Sequence, residues 1–264
     1  MSFFCPIPYA KILTMKNIDY QKLYSKKQAD VDRFMALAQE CNKADNIEHS
    51  FFVDDEYTAS IHVPYAYCAF CDKELVGFLS VYKIDDYNIE LCVFVHPEYR
   101  RQAIASNLFF RMVMDYDSVS YRMPIAPGND AGESFANKMG LTFTSCEIGM
   151  ALSKEDFTPI ENSLVLDSAV DGENLVIDAY DGDTKVGRAI VYGTSSAACI
   201  HDVEVEEELR EQGYGYAMTM AILADTFEKF DKVLLHVTKE NTPALNLYKK
   251  IGFTTISQIN YFEI

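Results

Sequence analysis

Between residues 66 and 82 the chain reads Ala-Tyr-Cys-Ala-Phe-Cys, then a polar Asp72-Lys73, then Glu-Leu-Val-Gly-Phe-Leu-Ser-Val-Tyr. Two apolar runs parted by a short polar step predict a β-hairpin. Residues 176–192 repeat the layout, with Asp181-Gly182-Asp183 at the turn. Ile200 to Val205 and Leu234-Leu235-His236-Val237 predict two more strands. Elsewhere the spacing turns helical. Ala217, Met220, Ala221, Ala224 and Phe227 fall on one stripe, and Ala244, Leu247, Tyr248 and Ile251 fall at i, i+3, i+4 and i+7. Thr242 as N-cap and Pro243 at the first helical position predict where that last helix starts, and Gly252 where it stops. A further helix is predicted around Gln28–Asn42, and the polar stretch Ser153 to Glu161, with Pro159, reads as a linker.

The pattern occurs twice. Gly77 and Gly187 lie 110 residues apart, as do Val95-His96-Pro97-Glu98-Tyr99-Arg100 and Val205-Glu206-Glu207-Glu208-Leu209-Arg210. Asn129 and Gly140 match Asn241 and Gly252 at a spacing of 112. Self-similarity in register predicts a duplicated unit. Strands alternating with helices in this order predict an α/β (α+β) fold in two tandem domains, residues 1–157 and 158–264, each a mixed central sheet flanked by helices. The first copy has about 65 residues ahead of its hairpin. The second has only about 18, with Leu164-Val165-Leu166 as a candidate strand.

The first segment with chemistry is Arg210-Glu211-Gln212-Gly213-Tyr214-Gly215, placed between a strand and a helix expected to begin near Tyr216. A glycine turn at a helix start exposes unpaired N–H groups at the positive end of the helix dipole, a natural cradle for a pyrophosphate. Glycine also keeps Cβ atoms out of the ligand's way. Taken alone, the loop is an ordinary strand-to-helix turn. It gains weight from Asn241-x-x-Ala244-x-x-Leu247-Tyr248-x-x-x-Gly252-Phe253 downstream.

With both segments in order, the stretch 175–256 resembles the GNAT superfamily of acetyl-CoA-dependent N-acetyltransferases. The resemblance implies a splayed sheet holding acyl-CoA between the strands that end near Val205 and Val237. Val203, Val205, Arg210, Glu211, Gln212, Gly213, Tyr214, Gly215, Tyr216, Asn241, Ala244 and Tyr248 would form the cofactor site. It implies direct attack of a primary amine on acetyl-CoA in a ternary complex, with Tyr248 protonating the leaving thiolate and a β-bulge donor near Val205 for the oxyanion. Regular alternation would put His201 on the face of Val203 and Val205, where it resembles the proton-accepting histidine of arylalkylamine N-acetyltransferases. A strand histidine with no proton role is the competing reading. Asp202 and Glu204 would face the other way unless a bulge reverses them. The first copy departs from the pattern: Ala103 and Ala105 replace the glycines and Ala136 the tyrosine, so it reads as degenerate and mainly structural. The rival to an enzyme is a non-catalytic acyl-CoA-binding sensor or scaffold, favoured by the short lead into the second hairpin.

Composition narrows the partners. Hydrophobic residues make up 49%, ample for a core. The net charge is −17, and residues 156–264 carry 8 Lys and Arg against 19 Asp and Glu. Such a surface repels nucleic acid and attracts a cationic amine. Seven cysteines, an odd number, fit reduced thiols in a cytoplasmic protein. Cys68 and Cys71, three apart in a strand, face opposite sides and predict no metal site. No run reaches membrane-spanning length, and Met1 to Ala10 does not read as a signal peptide.

Overall fold

A computed structural model describes residues 17–47, 63–116, 118–194 and 196–264, so Met1 to Ala10 lies outside the described residues. The chain divides into two compact units, Met1–Met123 with Ser134–Leu141 and Ile264, and Pro124–Glu133 with Thr142–Glu263.

The first unit comprises β1 (Ile18–Leu23), α1 (Gln28–Asp45), β2 (Ala66–Cys71), β3 (Glu74–Lys83), β4 (Asn88–Val95), α2 (Ile104–Val113) and β5 (Ser120–Ile125), whose last residues, like the first half of α3 (Asp130–Lys138), pass into the second. Its strands run in the order β1-β2-β3-β4-β5. Neighbours are antiparallel except β4 and β5, which pair in parallel only from Asn88 to Glu90. Asp72 and Lys73 both adopt positive φ, the backbone a two-residue hairpin requires. On one face Phe78 stacks between Phe34 of α1 and Phe94 of β4, at 4.4 and 5.2 Å. On the other, Gly77 lies against Ile104 at the start of α2.

The second unit comprises β6 (Thr142–Ser153), β7 (Val165–Asp171), β8 (Asn174–Asp181), β9 (Thr184–Gly193), β10 (Ala198–Val205), α4 (Tyr214–Thr226), β11 (Lys232–Thr238), α5 (Thr242–Ile251) and β12 (Thr254–Glu263). The order is β12-β6-β11-β10-β9-β8-β7. Thus β6, which the sequence repeat assigns to the first copy, is an interior strand of the second unit, antiparallel to β11 on one side and β12 on the other. Its alternate residues Cys146, Ile148, Met150 and Leu152 enter the same core as Ile200, Leu235, Met218 and Ile222.

Two expectations need correction. The stripe on α4 is partly misphased: Met220 and Phe227 are buried as expected, but Met218, Thr219, Ile222, Leu223 and Thr226 are buried too, whereas Ala224 is exposed. The helix is apolar nearly all round, so periodicity has little contrast with which to locate its inner face. The N-cap of α5 is Asn241, one residue before Thr242, and its Oδ1 accepts the Ala244 N–H at 3.2 Å. The end of α5 is as expected: Gly252 is left-handed, and the Phe253 and Gly252 N–H groups donate to the Tyr248 and Lys249 carbonyls. Among the described residues, no helix is long and apolar enough to cross a membrane, and the six cysteines are free.

Candidate functional site

β10 and β11 pair in parallel from Ala198 to Ile200 and then part. β10 continues to Val205 against β9, and β11 to Thr238 against β6. Beyond Ile200, the edge of β10 that faces β11 has no strand partner among the described residues. A wedge therefore opens inside the sheet, bordered by β10 and β11.

Just beyond this point a bulge interrupts β10 in its pairing with β9. The register with β9 shifts between His201 and Glu204, and Asp202 takes φ 49°. One extra residue reverses the alternation after it. Ile200 lies in the core with Val203 and Val205 packed against it. His201, the neighbour of Ile200, points the other way, edge-on to Tyr192 at 5.6 Å with its Nδ1 3.3 Å from Asp202 Oδ2. The expectation that His201 shares a face with Val203 and Val205 is overturned. Glu204 shares its side instead, level with Arg188.

At the end of β10 the chain makes a single 3₁₀ turn over Glu207–Leu209 and reaches the glycine loop. Arg210 Nε donates to the Val205 carbonyl at 3.1 Å and Gln212 Nε2 to the Glu208 carbonyl at 2.9 Å. Glu211 and Gly213 are left-handed, with φ 62° and 90°. These fixtures turn the chain directly into α4, which starts at Tyr214, two residues earlier than expected. No side chain caps α4 among the described residues. Helix geometry therefore leaves the Gly213, Tyr214 and Gly215 N–H groups aimed outward, while the Tyr216 N–H turns back to the Gly213 carbonyl. Tyr214 Oη donates to Asp181 Oδ2 at 2.9 Å and ties the helix start to the β8–β9 turn. Hydrogen bonding to that carboxylate raises the Tyr214 phenol above its ordinary range. Sequence reasoning missed this clasp, because nothing local links residues 33 positions apart.

α5 completes the site. A Cβ placed on Gly215 would lie 3.6 Å from both Leu247 Cδ2 and Val205 Cγ2, so loop, strand edge and α5 converge there. Lys250 Nζ stands 4.7 Å over the Tyr216 ring. Tyr248, only 6% exposed, packs against Phe253 at 5.8 Å, and burial raises its phenol above the ordinary value. Asn241 and Ala244 are joined to each other by the helix cap.

The first unit repeats the frame with a different outcome. Arg100 Nε donates to the Val95 carbonyl at 3.0 Å and Gln102 Nε2 to the Glu98 carbonyl at 3.4 Å, and Arg101 and Ala103 are left-handed. Yet the Arg100 guanidinium is held bidentately by Asp45 of α1, at 2.5 and 2.9 Å. Arg210 makes only a 3.6 Å approach to Glu204, and its side chain is 54% exposed. Where Ile200 and Leu235 end the parallel pairing in the second unit, the first has Glu90 and Arg122, ion-paired at 2.8 Å.

Comparisons with known proteins agree with this frame. Residues 31–140 match the family model described as Acetyltransferase (GNAT) family, and residues 190–262 the model described as FR47-like protein. A GCN5-related N-acetyltransferase from Sphaerobacter thermophilus superposes with TM-score 0.72 at 15% identity, over 94% of this chain and 95% of that one. A tandem GNAT protein from the clavulanic acid biosynthesis pathway gives 0.61 at 14% identity, over 94% and 98%. At these identities the structural likeness speaks to the fold. No curated protein matches. Residues 31–140 thus match the GNAT acetyltransferase family, and the chain as a whole has the fold of GNAT proteins.

Proposed function

We propose that the protein is an N-acetyltransferase that moves an acetyl group from acetyl-CoA to a primary amine by direct attack, with acetyl-CoA held by the second unit. The observation that carries this reading is the pairing of an opened β10–β11 edge with an uncapped helix start at its far end. The residues present suit such a ligand. Gly213 leaves open space where a Cβ would stand, and the outward N–H groups of α4 suit a pyrophosphate. Arg210 adds an exposed cation beside them. In the first unit the arginine is already neutralised by Asp45 and the wedge begins at an ion pair, so the second unit is the better host.

When bound, acetyl-CoA supplies an activated acyl carbon and a thiolate leaving group. The free edge of β10 offers N–H groups to the developing oxyanion, preorganised by the bulge. Tyr248, raised by burial, keeps its proton at neutral pH and donates it to the departing sulfur. His201, beside Asp202, receives a proton from the amine. The acidic second half draws a cationic acceptor toward the site. No metal is invoked, and neither nucleic acid nor a membrane is a partner in this scheme, which suits a cytoplasmic enzyme.

A second reading, acyl-CoA binding without transfer, has one observation in its favour: the described residues between β6 and β8 form only β7 and a short 3₁₀ turn, with no helix to wall an acceptor pocket. The Tyr248→Phe variant tests the enzyme. Turnover with a panel of primary amines is expected to fall roughly 10²–10⁴-fold, with little change in the acetyl-CoA dissociation constant by calorimetry. Wild-type turnover in that variant would make Tyr248 a packing residue. Absence of transfer by the wild type to any amine, despite binding, would favour the second reading.

A further inference from the structure

The last residues to pair before β10 and β11 part are Ile200 and Leu235. The next residue on each strand is a histidine, His201 and His236. Partners in a parallel ladder present their side chains on the same side, and successive residues alternate. Ile200 and Leu235 both enter the core. Both histidines therefore stand on the opposite face, one on each lip of the wedge. Strands at paired positions are about 5 Å apart, so the two imidazoles flank the narrow end of the opening. His236 is exposed, and its ring lies over Gly149 of β6, where an added Cβ would come within 3.3 Å of Cδ2 and 3.4 Å of Nε2.

We propose that His236 is a second proton acceptor, paired with His201 across the narrow end of the wedge. The proposal rests on the acetyltransferase reading and deepens it. An ammonium group must lose two protons to become an amide nitrogen: one before it attacks, the other as the C–N bond forms and the C–S bond breaks. Tyr248 returns one proton to sulfur, and the other leaves to solvent, so no oxidant or reductant is needed. Two acceptors on opposite lips serve two deprotonations of one nitrogen held between them. Among the described residues, the charged and titratable groups that the ladders place around the pair are Cys199, Asp202 and Glu204 on β10, Tyr192 and Arg188 on β9, and Glu147 on β6. The Asp202 carboxylate lies 3.3 Å from His201 Nδ1. His236, level with Gly149 and followed on its face by Thr238, is open to water.

Carbethoxylation of the full-length protein with diethyl pyrocarbonate, read by peptide mass spectrometry with and without saturating acetyl-CoA, tests the placement without relying on activity. Acetyl-CoA is expected to slow labelling of His201 and His236 together. Labelling of His236 at an unchanged rate while His201 is protected would overturn the pair. The His236→Gln variant is expected to lose about tenfold or more in kcat, to shift the acid limb of its pH–rate profile and to keep its calorimetric affinity for acetyl-CoA. Bound acetyl-CoA with a wild-type rate and profile in His236→Gln would reduce His236 to a bystander. If calorimetry detects no acetyl-CoA binding at all, the acyl-CoA reading itself falls and takes the pair with it.

Discussion

Ala103 and Gly213 occupy the same step of the repeat, and both hold a left-handed backbone, at φ 61° and 90°. An alanine there costs about 1–2 kcal/mol, yet the first loop keeps the turn because Arg100 and Gln102 fasten it as Arg210 and Gln212 fasten the second. The missing glycine is thus not what most separates the copies. Gly213→Ala is expected to fold and to lose only about that amount of stability in a denaturant titration, since no atom lies within 4 Å of the new methyl. Gly213→Glu, which sets a carboxylate at the phosphate position, is expected to abolish measurable CoA binding by calorimetry. Unchanged affinity in the glutamate variant would displace the pyrophosphate from this loop. The two arginines look alike in the sequence. What distinguishes them is Asp45, which lies 55 residues before Arg100 on α1 and reaches it only through tertiary packing. The orientation of His201 was equally hidden, because a single left-handed residue at Asp202 reverses the alternation on which a strand reading depends.

Among the elements, those with local signals were the legible ones. Both central hairpins, α5 with its glycine stop and the loop-to-helix passage follow from turn residues and spacing. β1, which carries several polar residues, escaped attention, and of β7 only the start at Leu164-Val165-Leu166 was expected, without its pairing to β8. The faces of the two sheets show why the second unit manages without a helix like α1. Cys68, Phe78 and Phe94 lie side by side under α1, and 110 residues on, the same positions hold Asp178, Arg188 and Glu204, also side by side. The face has been rewritten from apolar to ionic, and the Arg188 guanidinium lowers Asp178 to about 2. Such a face needs no covering helix. The shared glycine of β3 and β9, by contrast, has kept its purpose. A Cβ at Gly187 would collide with the Glu204 carbonyl oxygen and stand 3.0 Å from Met218 Sδ, and neither the bulge nor α4 can yield freely. Gly187→Ala is expected to cost about 1–3 kcal/mol, as overpacking does, and to weaken acetyl-CoA binding through the displaced bulge. A Tm and an affinity both equal to wild type would show that β10 carries no such constraint.

At the scale of the molecule, the repeat in the sequence and the compact units in space differ at β6. Periodicity and motif spacing revealed the duplication, but no local signal tells a strand which of two similar sheets it will join. Tertiary pairing decides that. β6 pairs with β11 from Glu147 to Ser153 and with β12 from Thr142 to Ala151, and its four core residues fill the second unit. A cut between residues 157 and 158 would therefore strip the second unit of an interior strand. That would leave two edges unpaired, and exposed edges of this kind invite aggregation. Residues 158–264 expressed alone are accordingly expected to be insoluble or to lack a cooperative thermal transition. A protease site placed between Pro159 and Asn162 in the full chain gives the complementary result. After cleavage, residues 1–157 still hold β6 inside the second unit, so both pieces are expected to co-elute on size exclusion in native buffer and to part only in denaturant. Acetyl-CoA binding should survive the nick, since β10, α4 and α5 all lie on the C-terminal piece with β6 still beside them. Separation of the pieces under native conditions, or a well-folded 158–264 fragment, would show that the second unit closes its core without β6.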